Sequence, residues 1–286
     1  MQTAYLNGTL LPLSEARVSA MDRGFLFGDG AYEVIPVYSR RPFRLAEHLR
    51  RLRQTLDGIR LDNPHDDAAW ARLIGEIIAR NDGEDQSVYL QITRGADTRR
   101  NHAFPASVTP TVFVMSEPLL TPPPAQRETG IAAVSAPDMR WLRCDLKTTS
   151  LLANCLLRQL AVDAGCVETI LFRDGYMTEG AASNIFAMKA GVMLAPPKNH
   201  LMLPGITYDV VLELAAAHGL PCEVRDVSED EARAADELWM TSSTKEVLPI
   251  TLLDGRAIGT GQPGPAFRNM YAWYQEFKQT VMRCGE

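Results

Sequence analysis

Glu117-Pro118-Leu119-Leu120-Thr121-Pro122-Pro123-Pro124 is the sharpest break in this chain of 286 residues. Proline has no backbone N–H and a fixed φ, so consecutive prolines oppose helix and sheet ladders and favour a stiff, extended connection. We read the stretch as a link between two domains, covering residues 1–118 and 131–286, with 119–130 as the connection. Before it lie a short strand pair, a strand over 32–38, and a helix over 45–57 with Leu45, Leu49, Leu52 and Leu56 on one stripe. A second helix carries Trp70, Leu73, Ile74, Ile77 and Ile78 at helical spacing, and strands over 88–93 and 111–115 close the unit. After the link, strand-like runs at 131–135, 169–172, 185–188, 192–194, 222–227 and 238–240 alternate with helices near 150–164, 207–218 and 265–282. Ser228-Glu229-Asp230-Glu231 has the form of a capping box for one more short helix. Both halves are α+β, and the boundary between such halves is where ligands often sit.

Composition narrows the function. Hydrophobic residues make up 46% of the chain and charged residues 22%, as in a soluble globular protein, and no apolar run reaches the ~20 residues that span a bilayer. A membrane role is not expected. The start, Met1-Gln2-Thr3-Ala4-Tyr5-Leu6-Asn7-Gly8, lacks the basic residues and apolar stretch of a secretory signal, so the expected location is the cytoplasm. The net charge of −6 and scattered arginines argue against nucleic acid as a partner. Five cysteines, with no C-x-x-C pairing, suggest neither a disulfide framework nor a metal site. Lysines are scarce: Lys147, Lys189, Lys198, Lys245 and Lys278 are the five candidates for any chemistry that needs an amine.

Lys147 ends the run Arg140-Trp141-Leu142-Arg143-Cys144-Asp145-Leu146-Lys147, just before an apolar helix, where its amine would point from an element end into a cleft. Its spacing is equally that of an exposed lysine at a helix start, or one paired with Asp145. Leu203-Pro204-Gly205-Ile206-Thr207 leads into a helix, and a glycine turn at a helix N-terminus presents N–H groups to an anion such as phosphate. An ordinary helix start capped by Thr207 has the same pattern. Thr241-Ser242-Ser243-Thr244 follows a strand and would add hydroxyl donors, or form a polar loop. Glu179, in Thr178-Glu179-Gly180-Ala181-Ala182-Ser183-Asn184, lies among small residues between two strands, either as a poorly hydrated carboxylate that needs a cation or as a turn residue in a surface ion pair.

Taken in order, Tyr32, Arg51, Lys147, Glu179-Gly-x-x-Ser-Asn184, Leu203-x-Gly205-Ile206-Thr207 and Ser242-Ser243-Thr244 resemble fold-type IV enzymes that use pyridoxal 5′-phosphate (PLP), over nearly the whole chain. Thr93-Arg94-Gly95, Arg100-Asn101-His102-x-Phe104-Pro105 and Arg140-Trp141-Leu142-Arg143-Cys144-Asp145 resemble the D-amino-acid aminotransferases of that class. The resemblance implies a smaller N-terminal α+β domain and a larger C-terminal α/β pseudo-barrel that binds the cofactor. It implies Lys147 as the Schiff-base lysine, Glu179 as partner of the pyridine nitrogen, and Leu203 against one face of the ring. Arg51, Ile206, Thr207 and Ser243 would hold the phosphate. Helical periodicity alone does not separate Arg51 from Arg50, since the two flank the leucine stripe on opposite sides. Tyr32, Arg100 and His102 would take the substrate carboxylate, the last two from the other subunit of a homodimer. The reaction implied is ping-pong transamination between D-amino acids and 2-oxo acids, with D-alanine and D-glutamate as partners.

Three departures from the family pattern stand out. Arg99 doubles the charge beside Arg100 in a loop one residue longer than expected, Ala181-Ala182 stands where serines are frequent, and Thr148-Thr149-Ser150 differs from the usual run. Rival readings are a fold-type IV (R)-amine or branched-chain aminotransferase, a 4-amino-4-deoxychorismate lyase, and a non-catalytic PLP carrier. The arginine and histidine of the carboxylate trap favour the D-amino-acid reading.

Overall fold

The computed structural model describes residues 2–284. The chain forms two compact units, one comprising the residues up to Leu119, Leu146–Leu151 and the chain from Met282 on, the other Leu120–Asp145 and Leu152–Val281. A single cut at the prolines therefore misses two returns to the first unit: the segment with Lys147 and the stretch that begins at Met282. Backbone pairing explains the first return, because Thr148 bridges Ala31, and the Thr149 N–H donates to the Gly30 carbonyl at 2.9 Å.

The first unit is a six-stranded antiparallel sheet of β1 (Thr3–Leu6), β2 (Thr9–Pro12), β3 (Gly30–Tyr38), β4 (Arg41–Pro42), β5 (Gln86–Thr93) and β6 (Thr111–Pro118). Its strand order is β2-β1-β6-β5-β3-β4. A short helix, α1 (Arg23–Phe27), precedes β3, and α2 (Leu45–Gly58) and α3 (Asp67–Arg80) follow it. The leucine stripe of α2 and the Trp70, Ile74 and Ile77 stripe of α3 form one core with Ile35, Val88 and Leu90. Along β3, Ala31, Glu33, Ile35 and Val37 alternate and are all fully buried, so one carboxylate occupies a core-facing position.

The prolines end one element and begin the next. β6 runs to Pro118, and Pro124 opens α4 (Pro124–Glu128) at its first turn, where a missing N–H costs nothing. The expected extended connection thus contains a helical turn.

The second unit is a nine-stranded mixed sheet with helices around it. Its strands are β7 (Ile131–Pro137), β8 (Glu168–Arg173), β9 (Tyr176–Gly180), β10 (Asn184–Lys189), β11 (Val192–Ala195), β12 (Cys222–Val224), β13 (Glu237–Ser242), β14 (Glu246–Leu253) and β15 (Arg256–Ala257). The order is β12-β11-β10-β13-β14-β7-β8-β9, with β15 paired to β14. β7 runs parallel to both β8 and β14. The helices are α5 (Leu152–Asp163), α6 (Ile206–Ala217), α7 (Glu229–Arg233) and α8 (Pro265–Phe277). Ser228 caps α7 in the expected box. Alternation does not reveal β9, which is polar, or β14, which contains Pro249 opposite Trp239. Among the described residues no helix is long and apolar enough to cross a membrane, and no group of three or more His, Cys, Asp or Glu side chains is placed to hold a metal.

Candidate active site

In the first unit, β3, α2 and the Lys147 segment meet. The Tyr32 N–H donates to the Lys147 carbonyl at 3.0 Å, and the Lys147 N–H donates to the Thr55 hydroxyl of α2 at 3.1 Å. The lysine is thus held at both backbone groups, and its Nζ lies 4.1 Å from the centre of the Tyr32 ring. This is an extended segment five residues before α5, rather than a helix start. Burial distinguishes Arg50 from Arg51: Arg50 is exposed, whereas Arg51 is 5% exposed. Its Nε and Nη2 donate to the two oxygens of Glu33 at 2.8 and 2.7 Å, a bidentate pair. His48, one turn earlier on α2, places Nδ1 2.8 Å from the same carboxylate. Burial opposes ionisation of Glu33, but Arg51 and His48 outweigh it and hold the carboxyl well below the usual range. Burial pushes the His48 imidazole down, against the pull of Glu33, and Nδ1 donates to the Glu33 carboxylate.

Arg100 and His102 lie in the exposed loop between β5 and β6. His102 packs on Phe27 with ring centres 5.3 Å apart, and the Arg100 guanidinium lies 5.0 Å from the Phe27 ring. Among the described residues, no hydrogen bond, ion pair or ring contact joins either to Tyr32, which packs on Tyr89. The structure sets Lys147 against Tyr32 and pairs Arg51 with Glu33, the next residue of the same strand, and among the described residues it joins neither Arg100 nor His102 to them. The loop is anchored by Arg23, which donates to the carbonyls of Asn101, His102 and Ala103 at 2.6–3.3 Å. Asp29 holds both Arg23 and Arg94, and the Arg94 guanidinium stacks 3.7 Å from the centre of the Phe104 ring.

In the second unit, Glu179 is the centre. It lies within β9, not in a turn, and is 4% exposed. Arg140 Nη1 donates to its Oε1, Asn184 Nδ2 donates to Oε2 at 3.1 Å, and the Leu203 N–H lies 3.2 Å from both oxygens. Burial still pushes the carboxyl up to about 7, against the opposing pull of Arg140 and the Leu203 N–H. Leu203 and Glu179 are thus neighbours, and Asn184 ties them together by donating also to the Leu203 carbonyl at 3.0 Å.

Ile206 and Thr207 form the first turn of α6. Its N-cap is Gly205, and no side chain caps it, so the alternative of Thr207 as the cap does not hold. The glycine is required by space: a Cβ there would come within 2.1 Å of Asn184 Oδ1. Ser243 is half-buried in the turn joining β13 to β14. Glu33, His48, Asp138 and Arg140 had no assigned role in the sequence. For Glu33 a signal existed, a lone acid in the apolar phase of a strand. Asp138 and His48 carried none.

The family profile described as amino-transferase class IV matches residues 30–253. The chain belongs to the class IV aminotransferases. It is 42% identical over 264 residues to a D-alanine aminotransferase of Bacillus licheniformis, covering 92% of this chain and 93% of that one. A D-alanine aminotransferase of Staphylococcus aureus (strain MW2) is 35% identical over 277 residues, 97% of this chain and 98% of the relative. Among solved structures, the branched-chain amino acid aminotransferase of Escherichia coli superposes with a TM-score of 0.88 at 25% identity, over 94% of this chain and 92% of that one. A branched-chain amino acid aminotransferase of T.th., solved with pyridoxamine 5′-phosphate, gives 0.88 at 26% identity, over 96% and 93%. This aminotransferase therefore has the fold-type IV architecture implied by its ordered motifs.

Proposed function

We propose that this class IV aminotransferase transfers amino groups between D-amino acids and 2-oxo acids, with PLP as its cofactor, in the manner of D-alanine plus 2-oxoglutarate giving pyruvate plus D-glutamate. The near-full-length identity to D-alanine aminotransferases carries this reading. The branched-chain enzymes share the fold at lower identity, 25–26%. The residues fit the cofactor. The first unit offers an anchored lysine amine and a buried guanidinium; the second offers a buried carboxylate for a ring nitrogen and a helix terminus without a side-chain cap for a phosphate.

In this reading Lys147 bonds the cofactor, and Arg51, the Ile206 and Thr207 N–H groups, the Thr207 hydroxyl and Ser243 hold its phosphate. Leu203 would pack on the ring, and Glu179 would accept a hydrogen bond from its nitrogen. Bound PLP supplies an electron sink for negative charge at the substrate Cα. Lys147 Nζ, as a free amine, would take the proton from the substrate Cα as general base and deliver it as general acid to the cofactor carbon within the same half-reaction, the second half-reaction moving it the other way. Tyr32, Arg100 and His102 receive the carboxylate, and that no contact among the described residues joins Arg100 or His102 to Tyr32 supports their action from the partner subunit of a homodimer. Leu152, Leu156 and Leu160, spaced on one face of α5 and all exposed, provide apolar surface suited to such an assembly. We place the enzyme in the cytoplasm and assign its two units as N-terminal and cofactor-binding domains.

The direct test is Lys147→Ala. Borohydride treatment of the PLP-loaded wild type should fix the cofactor to the peptide containing Lys147, and the variant should give no adduct and no multiple turnover. A variant that keeps both an adduct and wild-type turnover would place the reactive amine elsewhere.

A further inference from the structure

Behind Glu179 lies a buried chain of alternating charge that the reaction scheme does not use. Asp138 grips Arg140 from both sides of its carboxylate, with Nε to Oδ1 at 2.9 Å and Nη2 to Oδ2 at 2.8 Å. Arg140 also donates through Nη2 to the Leu201 carbonyl at 3.2 Å. Arg173 closes the far end: its Nη2 lies 3.2 Å from Asp138 Oδ1 and donates to the carbonyls of Asp138 and Arg140 at 3.0 and 2.8 Å. The Thr178 hydroxyl, on the residue before Glu179, donates to Asp138 Oδ2 at 3.0 Å. Arg140 and Asp138 are each 8% exposed. The order is Arg173, Asp138, Arg140, Glu179, two cations and two anions.

We propose that Arg140, itself held by Asp138, is a positioning residue that fixes the charge and orientation of the Glu179 carboxylate. The inference rests on the cofactor reading for its purpose, since an ionised Glu179 gives a protonated ring nitrogen a charge-assisted hydrogen bond that a neutral carboxyl does not. It rests on geometry for its substance. Arg140 donates to Oε1, Asn184 donates to Oε2, and the Leu203 N–H lies 3.2 Å from both, so donors on both oxygens fix the orientation of the carboxylate. Asp138 draws part of the positive charge of Arg140 away from Glu179. The two neighbours therefore act in opposite senses: Arg140 favours the ionised carboxyl, Asp138 the protonated one, as the directions of their effects on Glu179 also show. An arrangement of this kind offsets part of the cost of burying the carboxylate's charge while leaving it basic enough to bind a proton-bearing ring.

This opposition separates the proposal from a merely structural ion pair. The measurement is an infrared titration of the cofactor-free full chain, with the Glu179 band identified by subtraction of Glu179→Gln. Arg140→Gln should raise the titration midpoint by roughly 1–3 pH units, the range of a lost adjacent charge. Asp138→Asn should lower it, and Arg140→Lys should stay near wild type. With PLP bound, the pH at which the visible absorbance changes should move in Arg140→Gln. If Arg140→Gln does not fold, Asp138→Asn and Arg140→Lys carry the test. An unmoved midpoint, or movement of both neutralising variants in one direction, overturns the proposal. Failure of the borohydride experiment on Lys147 would remove the cofactor reading while leaving these midpoints interpretable.

Discussion

Arg51 shows how one residue serves two needs. Its guanidinium neutralises the fully buried Glu33, and in the proposed site it also meets the cofactor phosphate. Arg51→Ala should weaken PLP binding by about 1.5–3 kcal/mol for each charge-assisted hydrogen bond lost. It should also destabilise the protein by about 3–5 kcal/mol, because a buried carboxylate loses its partner. The double variant Arg51→Ala/Glu33→Gln should recover part of the stability and none of the affinity. Urea unfolding of the cofactor-free chains, set beside PLP titrations, checks this; equal PLP affinity in wild type and Arg51→Ala would remove Arg51 from the phosphate site. At this scale the sequence was legible where a motif names a residue and opaque where burial chooses. Arg50 and Arg51 are equivalent by periodicity, and only Arg51 is buried against Glu33 of β3. Asp138 and Arg140 pair two residues apart with a carboxylate in another strand, a relation that no local spacing encodes.

At the element scale, the start of α6 is fitted to its neighbour. Gly205 has an ordinary φ of −70°, so close approach rather than backbone freedom demands glycine there. Gly205→Ala should press on Asn184, disturb the hold on Glu179 and Leu203, and cost about 1–3 kcal/mol as an overpacked contact, with weaker PLP binding. Gly75→Ala, mid-helix in α3 and open to solvent, should instead stabilise by roughly 0.5–1 kcal/mol without touching PLP affinity. Thermal unfolding and PLP titration of both variants decide the point; equal behaviour would show that the α6 start has no such fit. The amphipathic helices α2 and α3 and the β-branched strands were readable because each shows its period to a core. β9 was not, since Glu179 and Thr178 are satisfied by polar partners inside the protein and so break the apolar alternation. Pro124 opposes a helix when it is taken with the prolines before it, yet the first turn of α4 accepts it.

At the scale of the whole molecule, the order of segments carried most of the information. Lys147, Glu179, Gly205 and the Ser242-Ser243 turn are distant in sequence, and their succession identified the fold that the family match and the structural superpositions bear out. What the linear order concealed is that Leu146–Leu151 pairs back onto β3, because a strand bridge depends on edge geometry rather than on neighbouring residues. The handedness of the substrate is the central functional claim. A single-turnover experiment addresses it: PLP-loaded protein is mixed with D-alanine or with L-alanine, with no 2-oxo acid added, and released pyruvate is measured against active sites. The expected result is one equivalent of pyruvate from D-alanine, with far less from L-alanine over the same time. Equal release from both enantiomers, or release confined to L-alanine, would contradict the assignment.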